Sequence, residues 1–290
     1  MQTAELVHYG ITELKGAGIP ECTSDVHLLL GFCLGKSRTQ LLLAAREEVS
    51  TRAEQLFVGL LQRRKQREPL AYILGEQEFW SQSFFVNPSV LIPRPETEFL
   101  LETVFEESKS GKGFGQGAVL DLCCGSGVIA IILALELKRQ VVAIDLSAAA
   151  LAVTGQNCLR HGVNQLVMPV RSDLLSALRN DRSFSLVVSN PPYIATAVVE
   201  NELEPEVREH EPWLALDGGE RGLDLIQRIR DDLPRILSPN GQLFMEIGYD
   251  QGEAVAEMFA AHQVGLSDFY DIRILKDYAG RDRVLHARIR

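Results

Sequence analysis

The chain has 290 residues, is 46% hydrophobic and carries a net charge of −10, enough apolar content for one large core and a smaller domain. That acidity speaks against a protein whose main partner is bare nucleic acid. The charge is uneven: residues 1–70 carry 9 Lys/Arg against 8 Asp/Glu, and the excess of acid lies beyond them, which marks a candidate domain boundary. Five cysteines (Cys22, Cys33, Cys123, Cys124, Cys158) are odd in number and contain no C-x-x-C pair, so neither a disulfide framework nor a metal site is expected. Met1-Gln2-Thr3 opens no signal peptide, and the longest apolar run, Val128–Leu135, is too short for a bilayer. A cytoplasmic protein without a membrane partner is the expectation.

Residues 1–68 carry helical periodicity and are expected to form a small bundle. Ser24 and Ser37 are placed as N-caps, and Thr51-x-x-Glu54 as a capping box. Leu28, Leu29, Leu30, Leu41, Leu42 and Leu43 are assigned to its core, and Arg63-Arg64-Lys65 to a solvated helix end, with a partner-binding patch as the alternative. Residues 69–90, from Pro69-Leu70-Ala71-Tyr72 through Phe84-Phe85-Val86, are rich in aromatic and β-branched side chains and predict a hairpin or two short strands joining the domains. In Leu91–Glu98 two prolines bracket Arg94 in a rigid turn, with a helix starting near Glu96; a rigidly held Arg beside carboxylates suits a substrate-binding loop.

Lys109–Gly117 is a Gly-rich connection, after which strands and helices alternate. Strands are expected at Ala118–Leu122, Gln140–Ile144, Leu166–Val170, Phe184–Val188 and Gln242–Ile247, with helices at Val128–Leu137 and through about Arg160. This is an α/β pattern: a doubly wound, Rossmann-like parallel sheet over residues 91–290. Asp268–Leu275 and Arg283–Ile289 follow one another without a helix, so a terminal antiparallel hairpin closes the sheet.

Ligands of such sheets sit at the carboxyl ends of the strands. Those ends carry Asp121, the loop Cys123-Cys124-Gly125-Ser126-Gly127, Asp145, Asp173-Leu174 and Asn190. Gly125-Ser126-Gly127 fits a dinucleotide fingerprint, with Asp145 spaced to take ribose hydroxyls, but the loop alone does not separate one adenosine cofactor from another. Asp121, just before the loop, suits an amino-acid ammonium and would repel a pyrophosphate, and Asp173 suits an adenine amine. Asn190-Pro191-Pro192-Tyr193 offers a side-chain carbonyl, the Pro191 carbonyl and an aromatic face to a planar NH2 group. Ribose, adenine and an amino-acid tail together describe S-adenosylmethionine. Glu200, Glu202, Glu204, Glu206, Glu209 and Glu211, just beyond, suit a solvated face, and also a basic protein partner rather than DNA phosphates.

With these residues assembled, the chain resembles the HemK/PrmC-type release factor glutamine methyltransferases, a branch of the class I methyltransferases. The resemblance runs from Pro69 almost to the end. Its most specific stretch is Pro93-Arg94-Pro95-Glu96-Thr97, joined by Asn190–Tyr193, Glu211-Pro212, Asp217-Gly218-Gly219, Gly222-Leu223-Asp224, Glu246-Ile247-Gly248 and Ala279–Arg283. One departure stands out: Cys123-Cys124 replace the Gly-Thr usual in the cofactor loop. A Cys at the first of these positions costs little at negative φ and strains the loop at positive φ.

The resemblance implies methyl transfer to the glutamine side-chain nitrogen in the Gly-Gly-Gln motif of peptide chain release factors, yielding S-adenosylhomocysteine. Asn190, Pro191 and Tyr193 would then be catalytic, and Pro192 and Arg94 substrate-binding. The N-terminal bundle would meet the partner, with no direct nucleic-acid target. A ribosomal-protein glutamine methyltransferase and an adenine-N6 DNA methyltransferase share the Asn-Pro-Pro-Tyr chemistry and remain alternatives, the latter disfavoured by net charge.

Overall fold

The structure is a computed structural model and describes residues 1–109, 113–261 and 268–290. Residues 110–112 of the expected Gly-rich connection lie outside the described residues.

The N-terminal periodicity resolves into helices α1 (Thr3–Gly16), α2 (Cys22–Leu34), α3 (Arg38–Leu43), α4 (Thr51–Lys65) and α5 (Leu70–Leu74). Ser37 caps α3, its Oγ accepting from Gln40 N at 3.3 Å while the Gln40 side chain reaches back. The cap of α4 is Ser50 rather than Thr51, one residue earlier than expected, and Glu54 instead receives the N-terminal ammonium at 3.1 Å. Ser24 lies inside α2, which begins at Cys22. The expected leucine core splits: Leu29, Leu30 and Leu41 are buried, whereas Leu28, Leu42 and Leu43 are exposed. Successive helix residues are turned about 100° apart, so three leucines in a row cannot share one face.

Arg64 also departs from its expected solvated place. It is buried and donates to Asp25 Oδ2 at 2.7 Å and Glu206 Oε1 at 3.1 Å. Such a charge is tolerated inside because both partners are anionic acceptors. Glu206 lies on a short helix far along the chain, and residues 204–210 form one compact unit with residues 1–76. Leu70–Leu74 is helical where a strand was expected, since Pro69 opens the turn and Gly75, at φ +76°, closes it. Ile73 is buried in the bundle's core with Leu6, Phe57 and Leu61.

The second unit comprises residues 77–203 and 211–290. β1 (Glu76–Phe79) and β2 (Gln82–Phe85) form the expected hairpin, Trp80 and Ser81 at positive φ making its two-residue turn. α6 (Pro95–Lys109) starts on a proline, which the first helical position tolerates. Then come β3 (Ala118–Leu122), α7 (Val128–Leu137), β4 (Val141–Asp145), α8 (Ala148–Arg160), β5 (Val167–Arg171) and β6 (Phe184–Ser189). After β6 lie α9 (Thr196–Asn201), α10 (Pro205–His210, part of the first unit), α11 (Asp224–Asp232), β7 (Leu237–Glu246), α12 (Gly252–Ala260), β8 (Phe269–Lys276) and β9 (Asp282–Ile289).

The seven-stranded sheet has the order β5-β4-β3-β6-β7-β9-β8. Neighbours from β5 to β7 run parallel, and β9 is antiparallel to both β7 and β8. The terminal hairpin therefore closes the sheet as expected, with its second strand innermost. Alternation along the buried strands feeds two cores. Val119, Leu186, Val188 and Phe244 face α6 and α7, while Leu120, Leu122, Val187, Leu243 and Met245 face α11 and α12. β7 starts five residues before the expected strand, and its register against β6 shifts between Phe184 and Leu186. Helices α9 and α11 fall in a stretch where no element was anticipated. Among the described residues no helix is long and apolar enough to cross a membrane.

Candidate active site

The chain runs outward from β3 to β4 and β5 and then returns to place β6 on the other side of β3, so the strand order reverses between β3 and β6. A cavity of about 400 Å³ opens at the carboxyl ends there, where doubly wound sheets bind ligands. Ser189 Oγ donates to Leu122 O at 2.7 Å and ties the two strand ends together.

The loop after β3 contributes Cys123, Cys124, Gly125 and Ser126 to the cavity lining. Gly125 N donates to Asp145 Oδ2 and Ser147 N to Asp145 Oδ1, both at 2.8 Å. Asp145 thus clamps the loop to the end of β4 while itself lining the cavity. Burial raises its carboxyl, and the backbone donors of Ser147, Gly125 and Leu146 pull it back. Each of its oxygens keeps a lone pair for a hydroxyl. Gly127 is outside the lining; it caps α7 at φ +83°, and a Cβ there would press on the Thr154 side chain.

Cys123 sits at φ +64°, the strained case for the Gly-to-Cys departure. Its partly buried side chain packs against the core facing α11 and α12. Burial pushes both thiols up, and Cys124 Sγ lies 3.6 Å from Thr154 Oγ1, so the pair is packed rather than reactive.

Asp121 is not in the lining, contrary to its expected role as a direct acceptor for an ammonium. It is fully buried and its Oδ2 accepts from Ala130 N at 2.9 Å, bracing the first turn of α7. Among the described residues its Oδ1 has no hydrogen-bond partner. Burial raises this carboxyl to about 8 against the Ala130 N–H, with the Asp145 charge adding to the rise. From the ordinary value of 3.8 up to about 8 the folded state keeps a proton that the unfolded state has lost. Stability therefore falls as pH rises through that window and levels off above it. In Asp121→Asn this fall becomes shallower, though Asp145 and Glu246, both raised, keep part of it. Urea denaturation of the cofactor-free protein at about pH 5 and about pH 8 checks this; an unchanged slope contradicts it.

Past β6, Asn190 and Pro192 line the cavity. Asn190 Nδ2 donates to Thr97 Oγ1 at 3.0 Å, and Thr97 Oγ1 donates to Glu246 Oε2 at 2.8 Å. Tyr193 does not form the expected aromatic wall, and neither it nor Pro191 is in the lining. The Tyr193 hydroxyl donates to Glu246 Oε1 at 2.9 Å, and its ring packs on the core facing α11 and α12. Gln251 Nε2 donates to the Tyr193 carbonyl at 2.9 Å. Gly222, at φ +69°, passes so close that a Cβ would overlap that carbonyl oxygen. The glycines quoted for the resemblance at 218–222 thus support the Pro-Pro-Tyr turn.

Arg94 lines the cavity and donates to Glu211 Oε1, while Glu211 Oε2 accepts from Ile92 N at 3.1 Å. One buried carboxylate therefore anchors both ends of the Ile92–Arg94 segment. Asp173 and Leu174 also line the cavity, but Arg228 Nη2 donates to both Asp173 oxygens, at 2.9 and 2.8 Å, in an exposed pair the sequence did not suggest. Thr97, Glu246, Glu211 and Gln251 are functional candidates the sequence did not assign to the cavity, Glu211 being buried where a solvated face was expected. The first three stand in stretches quoted for the resemblance, yet nothing in residue spacing joins positions 97, 190 and 246.

The cavity fits S-adenosylmethionine. It has apolar walls from Val128, Ile129, Leu146 and Leu174, an acidic rim at Asp145 and Asp173, and the glycine loop between them. Among the described residues no group of three or more His, Cys, Asp or Glu side chains is placed to hold a metal ion.

Comparison with known proteins agrees with this geometry. Residues 5–75 match the PrmC N-terminal domain and residues 95–220 the methyltransferase small domain. The release factor glutamine methyltransferase of Clostridium botulinum is 37% identical over 97% of this chain and 96% of its own, and that of Geobacter sulfurreducens is 40% identical over 95% and 93%. Among solved structures, a methyltransferase from Pyrococcus furiosus matches with a TM-score of 0.50 and 14% identity, covering 72% of this chain and 90% of its own. The hMettl16 catalytic domain, solved with MAT2A 3′UTR hairpin 6, matches with a TM-score of 0.55 and 13% identity, covering 78% and 81%. The two structural likenesses bear on the fold alone and agree with a class I methyltransferase sheet; by sequence, over almost its whole length, the chain belongs to the release factor glutamine methyltransferase family, whose members depend on S-adenosylmethionine.

Proposed function

We propose that this protein methylates the side-chain amide nitrogen of a glutamine in a peptide chain release factor, within its Gly-Gly-Gln motif, in the cytoplasm. The observation that carries the reading is Asn190 at the cavity wall with its Nδ2 committed to Thr97. Its Oδ1 is then the atom left to accept an amide N–H. Asn190 Oδ1 accepts one hydrogen of the substrate NH2 and fixes the nitrogen's position. An amide nitrogen is a weak nucleophile, so positioning supplies much of the rate. The same acceptor stabilises positive charge as it develops on nitrogen. Asn190 is no general base, so the proton leaves to water or a nearby acceptor after transfer.

S-adenosylmethionine supplies an electrophilic methyl group on a sulfonium. Asp145 would take its ribose hydroxyls, Cys123–Ser126 would cradle its amino-acid end, and Asp173 with Leu174 would bound its adenine. Arg94, held by Glu211, and Pro192 shape the entry for the peptide. Substrate recognition is assigned to the helical residues 1–68, with residues 69–90 as the connection. Their near-neutral charge and the exposed Leu28, Phe32, Leu42, Leu43 and Leu56 suit a protein partner.

Labelled S-adenosylmethionine, offered in parallel with a release factor, ribosomal proteins and duplex DNA, tests the assignment. Label on the release factor is expected. Label on a ribosomal protein or on DNA instead keeps the cofactor site and overturns the substrate.

A further inference from the structure

We propose that Glu246 and Thr97 are positioning residues that decide which atom of Asn190 is presented to the substrate amide. The inference rests on the reading that Asn190 accepts from that amide. The direction of each hydrogen bond carries it. Glu246 is 1% exposed and, as a carboxylate, only accepts. It accepts from the Tyr193 hydroxyl at 2.9 Å and from Thr97 Oγ1 at 2.8 Å. Thr97 has one hydroxyl proton, and that proton is spent on Glu246. Its oxygen can then only accept, so the Asn190 atom facing it at 3.0 Å must be the NH2 nitrogen.

The opposite amide orientation would set Oδ1 against Thr97 Oγ1 with no proton between them. Two acceptors facing each other at a half-buried wall lose the hydrogen bond between them and repel. The chain thereby locks Asn190 with Nδ2 on the protein and Oδ1 toward substrate. Its members come from α6, the end of β6 and the end of β7, so the fold itself sets the direction. Tyr193 holds the second Glu246 oxygen and keeps the carboxylate plane fixed. Burial raises the Glu246 carboxyl, while its hydroxyl donors and Arg283 pull it back toward the ionised acceptor that the chain requires.

Thr97→Val keeps the side chain's shape and removes the hydroxyl; Thr97→Ser keeps the hydroxyl. In Thr97→Val, kcat for release factor methylation is expected to fall by about 10²-fold, with the dissociation constant for S-adenosylmethionine, measured by calorimetry, shifted by no more than about threefold. Thr97→Ser is expected to recover most of that kcat. A second readout needs no turnover. The Asn190 side-chain NH2, assigned in NMR spectra by its loss in Asn190→Ala, exchanges slowly with solvent in the parent and in Thr97→Ser, and faster in Thr97→Val. Equal exchange in all three proteins, or a Thr97→Ser no better than Thr97→Val, overturns the positioning role. If the parent transfers no methyl to the release factor, the substrate reading fails, and the exchange measurement still decides the relay.

Discussion

Replacing Asn190 with Ala is expected to lower kcat for release factor methylation by about 10³-fold, while S-adenosylmethionine affinity changes by no more than a few-fold. The side chain lines the cavity and donates to Thr97, and among the described residues none of its hydrogen bonds goes to the glycine loop or to Asp145. Its loss therefore removes the acceptor for the substrate amide and leaves the cofactor clamp in place. Steady-state kinetics beside calorimetric titration separates the two effects. An Asn190→Ala enzyme with parental kcat, or one that has lost the cofactor, contradicts the assignment.

Asp145→Ala is expected to do the reverse. Its two oxygens fix Gly125 N and Ser147 N, so the change removes ribose acceptors and frees the loop at one stroke. Cofactor affinity is expected to fall by about 10²-fold or more. The cofactor-free protein is expected to lose about 1 kcal/mol as two partly buried backbone donors lose their acceptor. Calorimetry and urea denaturation measure the two quantities. Parental affinity would show that Asp145 is a loop clamp only.

Much of the fold was legible because periodicity and strand-end chemistry agree. The apolar runs at 118–122, 141–145 and 184–188 are buried strands, and their carboxyl ends do gather the cavity. Elements whose signal is local and mixed were harder. Leu70–Leu74 is apolar enough for a strand, and only Pro69 and Gly75 as its stops make it a helix. α11 has a strongly amphipathic sequence, yet its neighbourhood drew attention to the glutamates and the glycines instead.

Within the site, single residues were easier to find than their partners. Asn190 was legible from its tetrapeptide, whereas Thr97 and Glu246, which orient it, lie 93 and 56 positions away on other elements. Tyr193 shows the opposite failure. Its ring suggested a wall for the substrate, but the Glu246 carboxylate and the Gln251 amide draw it into the core side of the turn. Hydrogen-bond partners of that kind depend on tertiary geometry, which neither motif nor spacing encodes. Cys123 is a middle case: the sequence posed the question of its φ, and only the backbone answers it, at +64°.

The most direct test of the account is where the methyl group goes. Release factor treated with the enzyme and S-adenosylmethionine, then fragmented by tandem mass spectrometry, is expected to carry one added methyl on the side-chain nitrogen of the Gly-Gly-Gln glutamine. A methyl on any other residue of the factor, or an unmodified factor beside a labelled ribosomal protein or nucleic acid, would contradict it.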